Sequence, residues 1–136
     1  MNAKLATFTV TLGLVLSTGR AIAHHSFAAE FDAMKPLNLK GVVTKIEWSN
    51  PHTYFYVDVT QPDGKVVNWG MEMGSPNGLM RQGWTRNTMK VGDEVTVEGS
   101  QAKDGTFVGN ARAVTLTATG KRLFAASSQA DPPPQH

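Results

Sequence analysis

The feature that most constrains this chain is a period of two, carried across a tight turn. Residues 53–60, TYFYVDVT, put Phe55, Val57 and Val59 on one face and Tyr54, Tyr56 and Asp58 on the other. Pro62-Asp63-Gly64 follows. Pro presets φ for a turn, and Asp-Gly accepts the positive φ that closes a hairpin. Residues 65–73, KVVNWGMEM, resume the alternation with Val67, Trp69, Met71 and Met73 on one face. A helix cannot keep such a pattern on one side, so this part of the chain is committed to a half-buried sheet.

The same reading extends in both directions. Residues 39–48, LKGVVTKIEW, alternate with Val42, Ile46 and Trp48 on one face and Val43, Lys45 and Glu47 on the other. After the hairpin the period changes. Ser75 is a good N-cap, Pro76 a good first helical residue and Gly83 a good stop, so about two turns of helix fit between them. EVTVEG (94–99) and VGNARAVTL (108–116) read as two more strands around an Asp104-Gly105 turn. The expected fold class is all-β. Five strands with one short helix between the third and fourth is the layout of a small OB-fold-like barrel, with an open five-stranded sheet as the alternative.

The first 23 residues read as a secretory signal peptide. Lys4 opens it, an apolar run follows, and Ala21-Ile22-Ala23 is a small-x-small cleavage site. The run is about 13 residues, short of the roughly 20 that span a bilayer. The expected organisation is therefore a signal at 1–23, an N-terminal arm at 24–35, the OB-like domain at 36–117 and a disordered Pro-rich tail at 118–136. In the arm, Phe27, Phe31 and Met34 have helical spacing, so a short docked helix fits there and an extended arm fits equally well; Pro36 is expected to end whatever forms. The expected location is periplasmic or secreted, with no transmembrane anchor after cleavage.

Composition narrows the function classes. The chain has no Cys, which removes disulfides, thiolate metal sites and Cys nucleophiles. The sequence pI near 9.0 overstates its basicity, because cleavage takes away Lys4 and Arg20 and no acidic residue. A mature domain with balanced charge and no basic run is a poor nucleic-acid binder. No G-x-S-x-G, H-E-x-x-H, phosphate loop or dinucleotide fingerprint occurs, and no acid–base pair stands out. The expectation is a binding or accessory protein rather than an enzyme, with an unidentified protein or small ligand as partner.

HHSFAAEFD behind the signal, EWSNPH, NWGMEMGSPNGLMRQGW (which runs into Gly83-Trp84-Thr85-Arg86) and KVGDEVTVEGSQAKDG together resemble a family of small exported bacterial proteins. That family is known mainly as a domain of unknown function. The resemblance covers residues 24–123. It implies export and a small β-barrel, and it brings no activity with it.

Chemistry must come from the residues. Cleavage after Ala23 makes His24 the first residue, offering an α-amine and an imidazole to one metal ion. The amine has a pKa near 8, about the lowest of any amine in a protein. A third nitrogen from His25 or His52 completes a set that suits Cu(II), similar to the histidine brace of exported copper proteins. The plain alternative is that His24 and His25 are solvated residues at a frayed start. His52 follows Asn50-Pro51 in the first interstrand loop, where it is either a ligand or a rim residue bonded to the backbone. His136 lies in the tail and carries no assigned role.

Trp69, Met71 and Met73 form a soft face that suits Cu(I) or Ag(I), similar to the periplasmic copper and silver chaperone CusF. The spacing departs from that protein's Trp-x-x-Met-x-Met by one residue, and a gap-filling core role is the alternative. A polar ligand site is expected from Asn50, Tyr54, Tyr56, Glu72 and Arg86, with Glu72 joining His52 or the arm or standing as a solvated outer-face charge, and Arg86 pairing with Glu72 or Asp93 or binding an anion. Copper is the cofactor common to both candidate metal sites.

Overall fold

The computed structural model describes residues 27–126. Their elements run α1 (Phe27–Glu30), β1 (Phe31–Glu47), β2 (Tyr54–Thr60), β3 (Val66–Glu72), α2 (Pro76–Arg81), β4 (Glu94–Ala102), β5 (Val108–Leu116) and β6 (Arg122–Phe124). The fold is mostly antiparallel β-sheet with two short helices. The sheet order is β3-β2-β1-β4-β5-β6, and β3 also pairs with β5 in parallel. That extra pairing joins β1, β2, β3, β5 and β4 into a closed circuit of neighbours. The expected signal peptide, His24, His25 and His136 lie outside the described residues.

The hairpin of β2 and β3 has the register that the alternation dictates, from Tyr54↔Glu72 to Thr60↔Val66, with Gly64 at a φ of 83° in the turn. Phe55, Val57, Trp69 and Met71 are buried on its inner face. Val43, Val95, Val97 and Val114 join them from β1, β4 and β5. Each such side chain contributes about 1.5–3 kcal/mol through its burial, and the core has no disulfide to help it. Leu79 of α2, fully buried, packs into the same cluster. The helix is N-capped by Ser75, whose hydroxyl accepts from the Gly78 N–H at 3.1 Å. Gly83, at a φ of 94°, takes the chain out.

Three expectations are corrected. The arm is not separate from the sheet. β1 begins at Phe31 and passes through Pro36, because the register slips between Asp32↔Gln101 and Pro36↔Ser100. Proline is tolerated at such an irregularity, where the ladder is already broken. Of the helix and the extended arm, the segment holds both: the four residues of α1 and then strand from Phe31. The Phe27 and Phe31 rings lie 5.7 Å apart, tilted by 31°, and Met34 is exposed.

The faces of β1 are also mixed. Val43 is 1% exposed and Val42 43%, the reverse of the side on which Ile46 would place them. A register shift between Val43 and Lys45 puts an extra residue into the strand and changes the parity. Finally, the tail does not begin at 118. A turn at Gly120 leads into β6, which pairs with β5 through Ala113↔Phe124 and Thr115↔Arg122. Leu123, Ala125 and Ala126 are buried, and the Trp84 indole N–H donates to the Phe124 carbonyl at 2.8 Å.

Candidate functional site

Opposed residues on neighbouring strands put their side chains on the same face. Glu47, Tyr54 and Glu72 are opposed in turn across β1, β2 and β3, and Asn110 of β5 is opposed to Glu72. Alternation sends this row to the outer face, away from Phe55 and Met71. Glu72 is nevertheless only 6% exposed. Burying a carboxylate is costly unless donors meet it. Two do. The Tyr54 hydroxyl donates to Oε2 at 2.6 Å, and His52 Nδ1 lies 2.9 Å from Oε1. Burial, and then the bond to Glu72, hold the Tyr54 phenol well above its ordinary value. His52 stands two residues before Tyr54, after a cis Asn50–Pro51 peptide, and its side chain is 25% exposed.

Beside this trio is an open cleft of ≈ 440 Å³. Tyr54 and Glu72 form one wall. Ala29, Glu30 and Phe31 form another, and Lys103, Asp104 and Thr106 close the third side. The second wall is fastened in place. The Lys103 backbone N–H donates to the Glu30 carbonyl at 2.9 Å, and its ammonium donates to the Ala28 carbonyl. Asp104 is held by the Thr106 N–H and hydroxyl, which keep its carboxyl below the ordinary range. Ala28 and Glu30 are therefore tied to the rim of the cleft that Glu72 lines.

Of the residues expected to form a polar site, Tyr54, Glu72 and His52 are together. Tyr56 lies one row along, bonded to Glu47 at 3.2 Å, with the Lys45 ammonium 5.2 Å from its ring centre. Asn50 is exposed in the loop. Arg86 does not join Glu72. It lines a separate small crevice with Trp48, Met73 and Met89, while the Asp93 carboxylate accepts from the Lys90 N–H. The short loop after α2 carries Arg86 to that crevice rather than to the outer face of β3.

Trp69, Met71 and Met73 are all core residues, with both methionines at 0% exposure and Trp69 edge-on to Phe107 at 5.3 Å. Among the described residues no group of three His, Cys, Asp or Glu side chains is placed to hold a metal ion. His52 is the one histidine among the described residues. Sequence reasoning missed Lys103, Asp104 and Thr106, because Asp104-Gly105 carries an obvious turn signal that hides what the flanking side chains do. Asn110, 3% exposed beside Glu72, was equally invisible in an irregular strand.

The chain matches the model of a family of unknown function (DUF6152) over residues 12–111, and it belongs to that family. No curated protein and no solved structure matches it. No helix among the described residues is long and apolar enough to cross a membrane.

Proposed function

We propose that the protein is an exported binding or accessory protein, periplasmic or secreted, that takes Cu(II) through a mature N-terminal His24 with His25 or His52 completing the set. In this reading it is a carrier or sensor component and not an enzyme, and its scaffold is a barrel of the OB type. The closed circuit of strand pairings supports the barrel, since β1-β2-β3-β5-β4 is the neighbour order that such a barrel requires.

One observation carries the copper reading: Lys103 fastens residues 28 and 30 to the rim of the cleft lined by Tyr54 and Glu72, and Glu72 holds His52. His25 is two residues from Phe27, so their Cα atoms are within about 7.6 Å of each other. The α-amine and imidazole of His24 then need only one or two more imidazoles to complete a nitrogen set suited to Cu(II). Adding one residue ahead of His24 is expected to abolish tight Cu(II) binding, as is His24→Ala. Unchanged affinity in both variants would remove the amine and His24 from the ligand set.

A metal-free interaction module is the second reading. Tyr54 and Tyr56 are partly exposed on the outer face, and Gly70 sits between Tyr56 and Val108. Phe107 and Val108 add exposed apolar surface nearby. This module would hold a protein or small ligand without copper. A soft-metal site resembling that of CusF is the least supported, because Met71 and Met73 already fill the core. If they are ligands, Met71→Ala and Met73→Ala lose Ag(I) binding in a folded protein. If they are core, the same changes cost about 2–5 kcal/mol of stability each.

A further inference from the structure

We infer that Glu72 and Tyr54 are positioning residues that hold the His52 ring for coordination through Nε2. The coordination half of this inference rests on the copper reading. The tautomer half does not, since it follows from the trio alone.

The geometry runs from strand register to proton position. Tyr54 and Glu72 are directly opposed on β2 and β3, so their side chains meet on one face without any loop adjustment. A phenol donating to a carboxylate oxygen gives O···O separations of about 2.5–2.7 Å, and the Tyr54–Glu72 bond is 2.6 Å. The carboxylate is therefore an acceptor at both oxygens. The contact of 2.9 Å between Glu72 Oε1 and His52 Nδ1 then needs its proton on Nδ1. In the neutral ring this leaves the lone pair on Nε2. His52 is a quarter exposed, whereas Glu72 is almost wholly buried. A rigid, buried acceptor thus orients a ring that still reaches the surface.

This is the arrangement by which an outer carboxylate fixes the tautomer and raises the basicity of a metal-binding imidazole. Tyr54 contributes by holding the second oxygen, so that the carboxylate cannot rotate. It needs no contact with the metal. A fixed imidazole nitrogen also selects chemically, since it suits copper and zinc over hard cations such as calcium and magnesium.

The test uses the mature protein in two stages. The first is long-range ¹H–¹⁵N NMR of the metal-free form at about pH 8, where an ordinary imidazole is neutral. The expected pattern is a single Nδ1–H tautomer for His52 in the wild type and a tautomer mixture in Glu72→Ala. Tyr54→Phe is the milder variant, keeping the fold while releasing one carboxylate oxygen, and it is expected to shift the pattern partway. The second stage is Cu(II) titration with pulsed EPR. Glu72→Ala is expected to weaken binding about 10- to 100-fold and to change the coupling of the remote imidazole nitrogen. Glu72→Gln keeps an acceptor and is expected to recover most of the loss.

An Nε2–H tautomer in the wild type overturns the inference whatever copper does. Tight wild-type copper binding that both Glu72 variants leave unchanged overturns it too, with the copper reading intact. The expected tautomer without any copper binding sinks the copper reading and the coordination half together, and confirms the positioning of the ring.

Discussion

Tyr54 and Glu72 face each other across β2 and β3, joined by a hydrogen bond of 2.6 Å at the edge of a cleft. Burial and this bond both favour the protonated phenol. The sign follows from linkage: a phenol whose folded value is raised stabilises the fold fully below the ordinary value, and that contribution fades as pH rises past it. The chain has two tyrosines. Absorbance of the phenolate in alkaline solution should therefore show one tyrosine ionising well above pH 10.0, or only on unfolding, and that late step should vanish in Tyr54→Phe. Two tyrosines ionising together at the ordinary value would mean that the bond to Glu72 is not formed.

Thr53 precedes this pair and points the other way. It is fully buried, and its hydroxyl has no hydrogen-bond partner among the described residues. An unmet buried hydroxyl costs about 1–3 kcal/mol, and valine has nearly the same shape with good strand propensity. Thr53→Val is expected to stabilise by about 1 kcal/mol. Urea melts would show this as a higher midpoint with an unchanged slope. A lower midpoint would mean that the hydroxyl has found a partner.

Gly99 is required by close approach. A Cβ there would fall 1.9 Å from the Asn110 carbonyl oxygen, which is backbone and cannot step aside. Gly70 offers a contrast, because its added Cβ would meet the Tyr56 ring at 3.3 Å. Gly99→Ala is expected to cost about 3 kcal/mol or more, or to prevent folding. Gly70→Ala should cost about 1 kcal/mol or less, with the ring yielding. Equal losses in thermal melts would contradict the tight β4–β5 approach at Gly99.

Much of this fold could be read before it was seen, and the reason is physical. The β2–β3 hairpin has a turn with one chemistry and two faces with opposite polarity, so only one register buries Phe55, Val57, Trp69 and Met71 together. Bulges have no such mark. Nothing in LKGVVTKIEW announces the shift between Val43 and Lys45, so the two valines were assigned to the wrong sides. β6 is three residues long, too short for any period to appear, and its burial depends on Trp84 from a distant loop. At the site, Glu72 was legible as a carboxylate in mid-strand near a glycine, with His52 as a partner. Tyr54 was legible as an outer-face member of a polar site, but not its bond to Glu72, which depends on the exact cross-strand register. Lys103 lies 73 residues from Glu30, and no local pattern announces that contact.

Glu98 ties three strands together. Arg122 of β6 meets it with two bonds of 2.8 and 3.2 Å, and Arg112 of β5 lies 3.8 Å away. The Arg122 hydrogen bond, foremost, holds the Glu98 carboxyl below its ordinary value. A lowered folded value means that the stabilisation is complete above the ordinary value near 4.5 and is lost as pH falls through the folded one. Glu98→Gln should therefore lower Tm at neutral pH, and the gap should close on acidification below that value. The gain is small because the site is solvated. A gap that stays constant to strongly acidic pH would show that the loss comes from packing rather than charge.

Copper held by His24 with His25 or His52 is read out by titrating the 24–136 protein with a verified native His24 terminus. Cu(II) is added and the EPR spectrum recorded. One sub-micromolar site with a nitrogen-rich signal is expected, lost on adding a residue before His24 and weakened in His52→Ala. Binding no tighter than that of an unrelated protein with a free amino terminus would contradict it, and would leave the outer face around Tyr56 and Val108 as the place to look for a partner.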